Sequence, residues 1–214
     1  MKNFGPRVQV SSRPERELPE RQIFWGSEGG GSMRFPQNEQ EIFERKYAMH
    51  PAPLTEFGFA VAAALDRVWI IDQYLFIPEG AKGAQTDDRV RNRVEAILDW
   101  IPVSIEAIDI RFLTKPHNEV TPEIIGELRL REDRINSYSA RRSQKCRIDV
   151  RYHLTTKFDH IHDRFAIIDN ELWHFGGTAG GFLASVSASS RGWNASDHGA
   201  IAFFEMAWRA GDKQ

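Results

Sequence analysis

Apolar and polar positions follow three rhythms along this chain, and each change of rhythm marks a new element. From Pro53 to Val68 the apolar residues Leu54, Phe57, Val61, Ala64 and Leu65 recur at helical spacing, which predicts an amphipathic helix. It leads into Val68–Ile77, a near-continuous β-branched and aromatic run that predicts a strand buried on both faces. Thr86 then caps a helix with Asp87 and Asp88 in its first turn, an apolar stripe of Val90, Val94, Ile97, Leu98 and Ile101, and Pro102 as its stop. A second strand is predicted over 105–114, followed by the loop Lys115-Pro116-His117-Asn118. Thr121 and Pro122 open a further helix, Arg-rich towards Arg142, and the alternating run Arg147–His153 predicts a third strand. Strands and helices in this order imply a parallel sheet with right-handed crossovers.

The rhythm then changes. Phe165–Ile168 and Leu172–Phe175 are two short apolar runs separated by the polar residues Asp169, Asn170 and Glu171, which predicts a hairpin. Side chains alternate faces along a strand, so His162 and Arg164 point the same way and Asp163 the other. Residues 178–196 are rich in Gly, Ala and Ser, with Phe182, Leu183 and Trp193 as apolar anchors, and Gly199–Glu205 predicts a final strand. Before all this lies a polar arm, residues 1–50, with a Gly-rich run over 26–32 that lacks the Lys-Ser/Thr of a phosphate-binding loop. Its exception is Ile23-Phe24-Trp25, an apolar hook for the core or for a protein partner. The folded domain is expected over 51–214.

Composition narrows the classes. A chain of 214 residues is long enough for one domain with a real core. A net charge of −2 does not mark a generic nucleic-acid binder. The charge is uneven, however: Arg129 to Arg151 holds eight basic residues against three acidic ones, with Arg141, Arg142 and Lys145 as candidate polyanion contacts. Cys146 is the only cysteine, which excludes an intrachain disulfide and suits a reducing compartment. The first twenty residues lack the apolar core of a signal peptide and no run approaches a membrane span, so a cytoplasmic location is expected.

Candidate chemistry lies at the hairpin. The order His162-x-Arg164, four residues, Asp169, six residues, Gly176 resembles the signature of the phospholipase D superfamily, His-x-Lys, four residues, Asp, six residues, Gly-Ser-x-Asn. Arg164 stands where the family has Lys, Gly177 where it has Ser and Ala179 where it has Asn; Thr178 offers a hydroxyl one residue along. The Asp72-Gln73-Tyr74 strand end is also similar to the end of that family's first strand. A zinc reading of His160, His162 and Asp163 lacks further ligands at a recognisable distance, and Arg164 is a poor neighbour for a cation. His117 reads as a loop residue, and His160 and His174 as structural ones.

The resemblance implies an α/β fold, a phospholipase D-like mixed sheet flanked by helices, and no cofactor or metal. It implies His162 as nucleophile towards phosphorus, Arg164 as the partner of the phosphoryl oxygens and Asp169 as the residue that orients a His. Gly177, Thr178 and Asp197 are the supporting residues, with Asp197 beside the final strand as the acidic partner of a catalytic His. One motif in one chain implies a homodimer with the twofold axis through the site. The expected activity is a metal-independent phosphodiesterase, foremost a nuclease, working through a phosphohistidine. The competing expectation is a phosphate- or nucleic-acid-binding module without turnover, serving in a multi-protein complex such as a bacterial defence one.

Overall fold

The computed structural model describes residues 17–25, 35–47, 52–77, 86–118, 120–138, 144–155, 158–159, 161–180 and 187–210. Seven strands form one mixed sheet: β1 (Gln22–Trp25), β2 (Arg67–Ile71), β3 (Asp109–Leu113), β4 (Arg147–Arg151), β5 (Arg164–Ile168), β6 (Glu171–Phe175) and β7 (Ala188–Asn194), in spatial order β1-β7-β6-β5-β2-β3-β4. Strands β2, β3 and β4 are parallel, and β5, β6, β7 and β1 add antiparallel neighbours. Five α-helices flank the sheet among the described residues: α1 (Glu39–Lys46), α2 (Ala52–Ala62), α3 (Thr86–Asp99), α4 (Pro122–Tyr138) and α5 (Ala200–Arg209). The expected architecture, a mixed sheet flanked by helices, is the one observed.

Alternation along the strands divides the core in two. Val68 and Ile70 of β2 join Ala166 and Ile168 of β5 in a cluster with Phe57, Val61, Val94, Ile97 and Ile101 from α2, α3 and the turn after α3. The intervening residues Trp69, Ile71, Phe165 and Ile167 meet Phe204, Ala207 and Trp208 of α5 on the other face. A strand covered on both faces reads as unbroken apolar sequence, and β2 does.

Three expectations change. The strand expected through Ile77 ends at Ile71, because Asp72 turns the chain: its carboxylate accepts the Tyr74 N–H at 2.8 Å and its carbonyl the Leu75 N–H at 3.3 Å. Leu75 and Phe76 still reach the core, from a turn rather than a strand. The final strand expected over 199–205 is helix α5. Ala200, Phe204, Ala207 and Trp208 recur at helical spacing, and a window closed at Glu205 is too short to distinguish the two periods. The strands missing from the expectation are β1, in the polar arm, and β7, in the Gly-, Ala- and Ser-rich stretch.

Strand β7 carries little β-branched residue content, and tertiary contacts hold it in place. Arg191 forms a buried two-pronged pair with Glu171 of β6, at 2.6 and 3.1 Å, and stacks over Trp173. At Gly192, with φ of 93°, a Cβ would lie 2.8 Å from the Cα of Arg21, so the arm passes where only glycine leaves room. The Ile23-Phe24-Trp25 hook thus docks on the core: it forms edge strand β1 on β7, with Phe24 stacked on Trp173 at 6.0 Å.

Candidate functional site

The register of the sheet brings four chain segments to one edge. Strand β5 runs antiparallel to β2 with Phe165 opposite Ile71, so the residues just before β5 lie where β2 ends. Strand β3 is parallel to β2 with Leu113 opposite Ile71, so Lys115–His117 leaves the sheet at the same edge. Strand β6 finishes there too, because Phe175 pairs with Arg164, and Gly176–Gly180 follows.

Gln73 sits at the centre of this edge, 2% exposed. Its side-chain amide lies 3.0 Å from Nδ1 of the exposed His162. Its backbone carbonyl lies 3.1 Å from Nε2 of His117. A carbonyl only accepts, so that His117 nitrogen carries a proton. The Tyr74 ring beside them is 5.8 Å from the His117 ring, 5.2 Å from Nζ of Lys115 and 5.6 Å from the Arg164 guanidinium. One imidazole and two cations therefore gather around the Tyr74 ring, and a second imidazole, His162, lies on the adjoining Gln73 side chain.

Below them Asp72 is fully buried. It accepts the N–H groups of Tyr74 and Ala179, each at 2.8 Å, and Arg164 Nε lies 3.6 Å away. Burial pushes its carboxyl above the usual range; the two N–H groups, then Arg164 and Arg93, pull the other way. The Arg164 guanidinium also donates to the Gly176 carbonyl at 3.4 Å. Several polar atoms at this edge are buried without a hydrogen-bond partner among the described residues: Gln73 Oε1, Thr114 Oγ1, Thr178 Oγ1 and Arg164 Nε. Such atoms are rare in folded proteins, and a cluster of them marks a place that water or a polar ligand completes.

Of the residues expected to form the site, the structure brings His162, Arg164, Gly177 and Thr178 to this edge. Asp169 is elsewhere. It occupies the β5–β6 turn with φ of 55°, roughly 16 Å along the strand from Arg164 at 3.3 Å per residue. Its carboxylate accepts the N–H groups of Leu65 at 3.1 Å, Asp66 at 2.7 Å and Arg67 at 3.2 Å. It anchors the start of β2 and does not touch the His162 ring. Asp197 is exposed at that same far end, its N–H on Asn194 Oδ1 at 3.0 Å, because the chain arrives there along β7. The position beside His162 Nδ1 expected of Asp197 is held by Gln73 instead.

Lys145 is exposed just before β4, at the edge where the parallel strands begin, opposite His162. Arg141, Arg142 and His160 lie outside the described residues. His174 is exposed, with Nε2 3.8 Å from Asp163 Oδ1. No cluster of three or more His, Cys, Asp or Glu able to hold a metal ion occurs among the described residues. No helix among them is long and apolar enough to cross a membrane.

Sequence reasoning missed Gln73, His117 and Lys115. A usable signal existed, since the ends of parallel strands β2 and β3 are where α/β sheets place ligands.

Fold and site together define a mixed α/β domain with a histidine-bearing, cation-lined edge. No family model matches the chain, and no curated protein matches it. Among solved structures it is similar to NucT from Helicobacter pylori, at 12% identity and a TM-score of 0.47, over 89% of this chain and 96% of that one. It is also similar to TrmBL2, an archaeal chromatin protein whose structure is described as showing a novel mode of DNA binding, at 8% identity and a TM-score of 0.38. That similarity covers 94% of this chain and 55% of TrmBL2, so the chain spans about half of that protein's length. Neither similarity transfers an activity.

Proposed function

We propose that this protein is a metal-independent phosphodiesterase, foremost a nuclease, in which His162 attacks phosphorus and forms a phosphohistidine. The observation that carries the reading is the meeting of His162 and His117 on Gln73, with Arg164 and Lys115 on the neighbouring Tyr74 ring, at the carboxyl ends of β2 and β3. Gln73 holds Nδ1: with its amide turned so that the otherwise unpartnered Oε1 accepts from Nδ1–H, the lone pair on Nε2 of His162 is free to attack. Phosphoryl transfer leaves little covalent chemistry to the protein beyond placing the nucleophile and countering oxygen charge. Lys115 and Arg164 supply that charge, and Gly177 and Thr178 follow β6 at the same strand end.

The departing oxygen needs a proton. A second copy of the chain across a twofold axis is one source, as the sequence resemblance implies; a group in the same chain is the other.

The test is hydrolysis of bis(p-nitrophenyl) phosphate and of DNA and RNA in EDTA by wild type and His162→Ala. Turnover should persist in EDTA and fall by at least three orders of magnitude in the variant. A metal requirement, or activity that survives the substitution, overturns the reading. One observation favours a binding module without turnover: Arg164 already lies against Asp72, which shares its charge. That reading predicts phosphate-ester affinity with no release of nitrophenolate.

A further inference from the structure

The hydrogen bonds on Gln73 join two imidazoles that lie far apart in sequence. His162 lies against its side-chain amide and His117 against its main-chain carbonyl, so both rings are held by the same residue. The structure assigns to His117, we infer, the role of proton donor to the departing oxygen, so that a single chain carries the complete pair and needs no second copy to react. This rests on the phosphodiesterase reading and adds to it the source of the proton and the stoichiometry of the site.

Elimination among the neighbours leads to the same residue. Arg164 does not give up a proton in proteins. Asp72 is fully buried and its oxygens accept from Tyr74 and Ala179. Gln73 does not titrate. Lys115 is suited to countering charge, and an ammonium is a poor acid at neutral pH. Imidazole is the side chain whose two protonation states are both accessible there. His117 is only partly exposed and is held by Gln73 and against Tyr74, so its ring is positioned rather than free to turn.

The steps balance. The Nε2 lone pair of His162 forms the P–N bond while the P–O bond to the departing group breaks, and its electron pair goes to that oxygen. Imidazolium His117, held through Nε2–H on the Gln73 carbonyl, gives the departing oxygen the proton from Nδ1. Water then attacks phosphorus and passes a proton to the same Nδ1, and the P–N bond breaks with its pair returning to His162. His117 ends protonated, ready for the next cycle.

Two substrates separate this role from a structural one. A nitrophenolate leaves without a proton, whereas the alkoxide of a dinucleotide does not. His117→Ala should therefore release one equivalent of nitrophenolate from bis(p-nitrophenyl) phosphate in a burst within about tenfold of the wild-type rate, then turn over slowly. On a dinucleotide it should lose about two to three orders of magnitude. His117→Gln keeps an N–H for the Gln73 carbonyl and passes no proton, so it should behave like His117→Ala; recovery of dinucleotide cleavage in it would overturn the assignment. Unchanged rates in His117→Ala, or loss of the burst in a variant that melts like wild type, would overturn it as well. Wild-type specific activity should be constant on dilution through the range where sedimentation shows single chains. A fall with dilution would place the second imidazole in a partner copy.

Inorganic vanadate provides a readout independent of turnover. Its addition to single chains should move the ring nitrogen resonances of both His117 and His162. If both respond and no substrate is cleaved, the shared site stands and the phosphodiesterase reading falls. If His162 alone responds, or neither does, the His117 assignment falls whatever the activity.

Discussion

At the scale of single residues, two carboxylates show how burial and placement decide a role that residue type leaves open. Asp72 is buried beneath the site, and the loss of solvent raises its carboxyl pKa above the ordinary 3.8. Folding then favours the protonated form. The stability this adds is fully present below the unfolded value and is lost as pH rises through the raised folded value. Asp72→Asn cannot titrate, so wild type should lose stability relative to it as pH is raised across that window. Urea midpoints of both proteins at pH 4 and pH 7 check this, and a constant difference would contradict it. Asp169, by contrast, acts on the backbone: it accepts three N–H groups ahead of and within β2 from a left-handed turn position. Asp169→Ala removes the acceptors and strains the turn, at a cost of about 3 kcal/mol. Asp169→Asn, which tolerates that backbone and keeps one oxygen, should cost about 1 kcal/mol. Denaturant midpoints measure both, and the rate per folded molecule should stay at the wild-type level.

At the scale of elements, the sheet edge formed by β1 matters most for what the arm does. Phe24 is 4% exposed, stacks on Trp173, and is the inward residue of a four-residue strand. Phe24→Ala should destabilise the protein by about 3 kcal/mol, within the usual range for losing a buried aromatic. Thermal melting and protease sensitivity of the segment before α1 would report it; an unchanged melting point would show that β1 contributes little to the core. The hook was visible as an apolar triplet in a polar stretch, but its partner was not. Strand β7 is built from Ser189, Ser190, Arg191, Gly192 and Trp193, whose composition gives no strand signal, and it is specified by Glu171, Trp173 and the passing arm.

At the scale of the whole molecule, the two faces of the sheet are closed by different means. Helices α2, α3 and α4 cover one with mostly aliphatic side chains and Phe57. The other is closed by α5 and by a column in which Arg67, Trp69, Arg111, Trp208 and Arg151 stack alternately, at separations between 4.6 and 5.4 Å. Guanidinium on indole is favourable in its own right, and Arg111 is further paired with Asp109 and Glu205. Three cations, Arg67, Arg111 and Arg151, are thereby held within the fold on this face.

What the sequence determined by itself was whatever repeats over a short range. The parallel β2, β3 and β4, their helices and the β5–β6 hairpin follow from periodicity and caps. The motif also drew attention to the amino end of β5, although strand alternation does not place His162, which lies ahead of β5. Only the tertiary structure decided the partners of those residues, because hydrogen bonds such as Gln73 to His162 join positions about ninety residues apart and no local pattern encodes a register between strands. The same holds for Asp169 and Asp197, near to the motif in sequence and carried to the far edge by the direction of their strands. His117 shows the converse: a loop residue by every local sign, it reaches the site because β3 lies parallel to β2 and both strands end together.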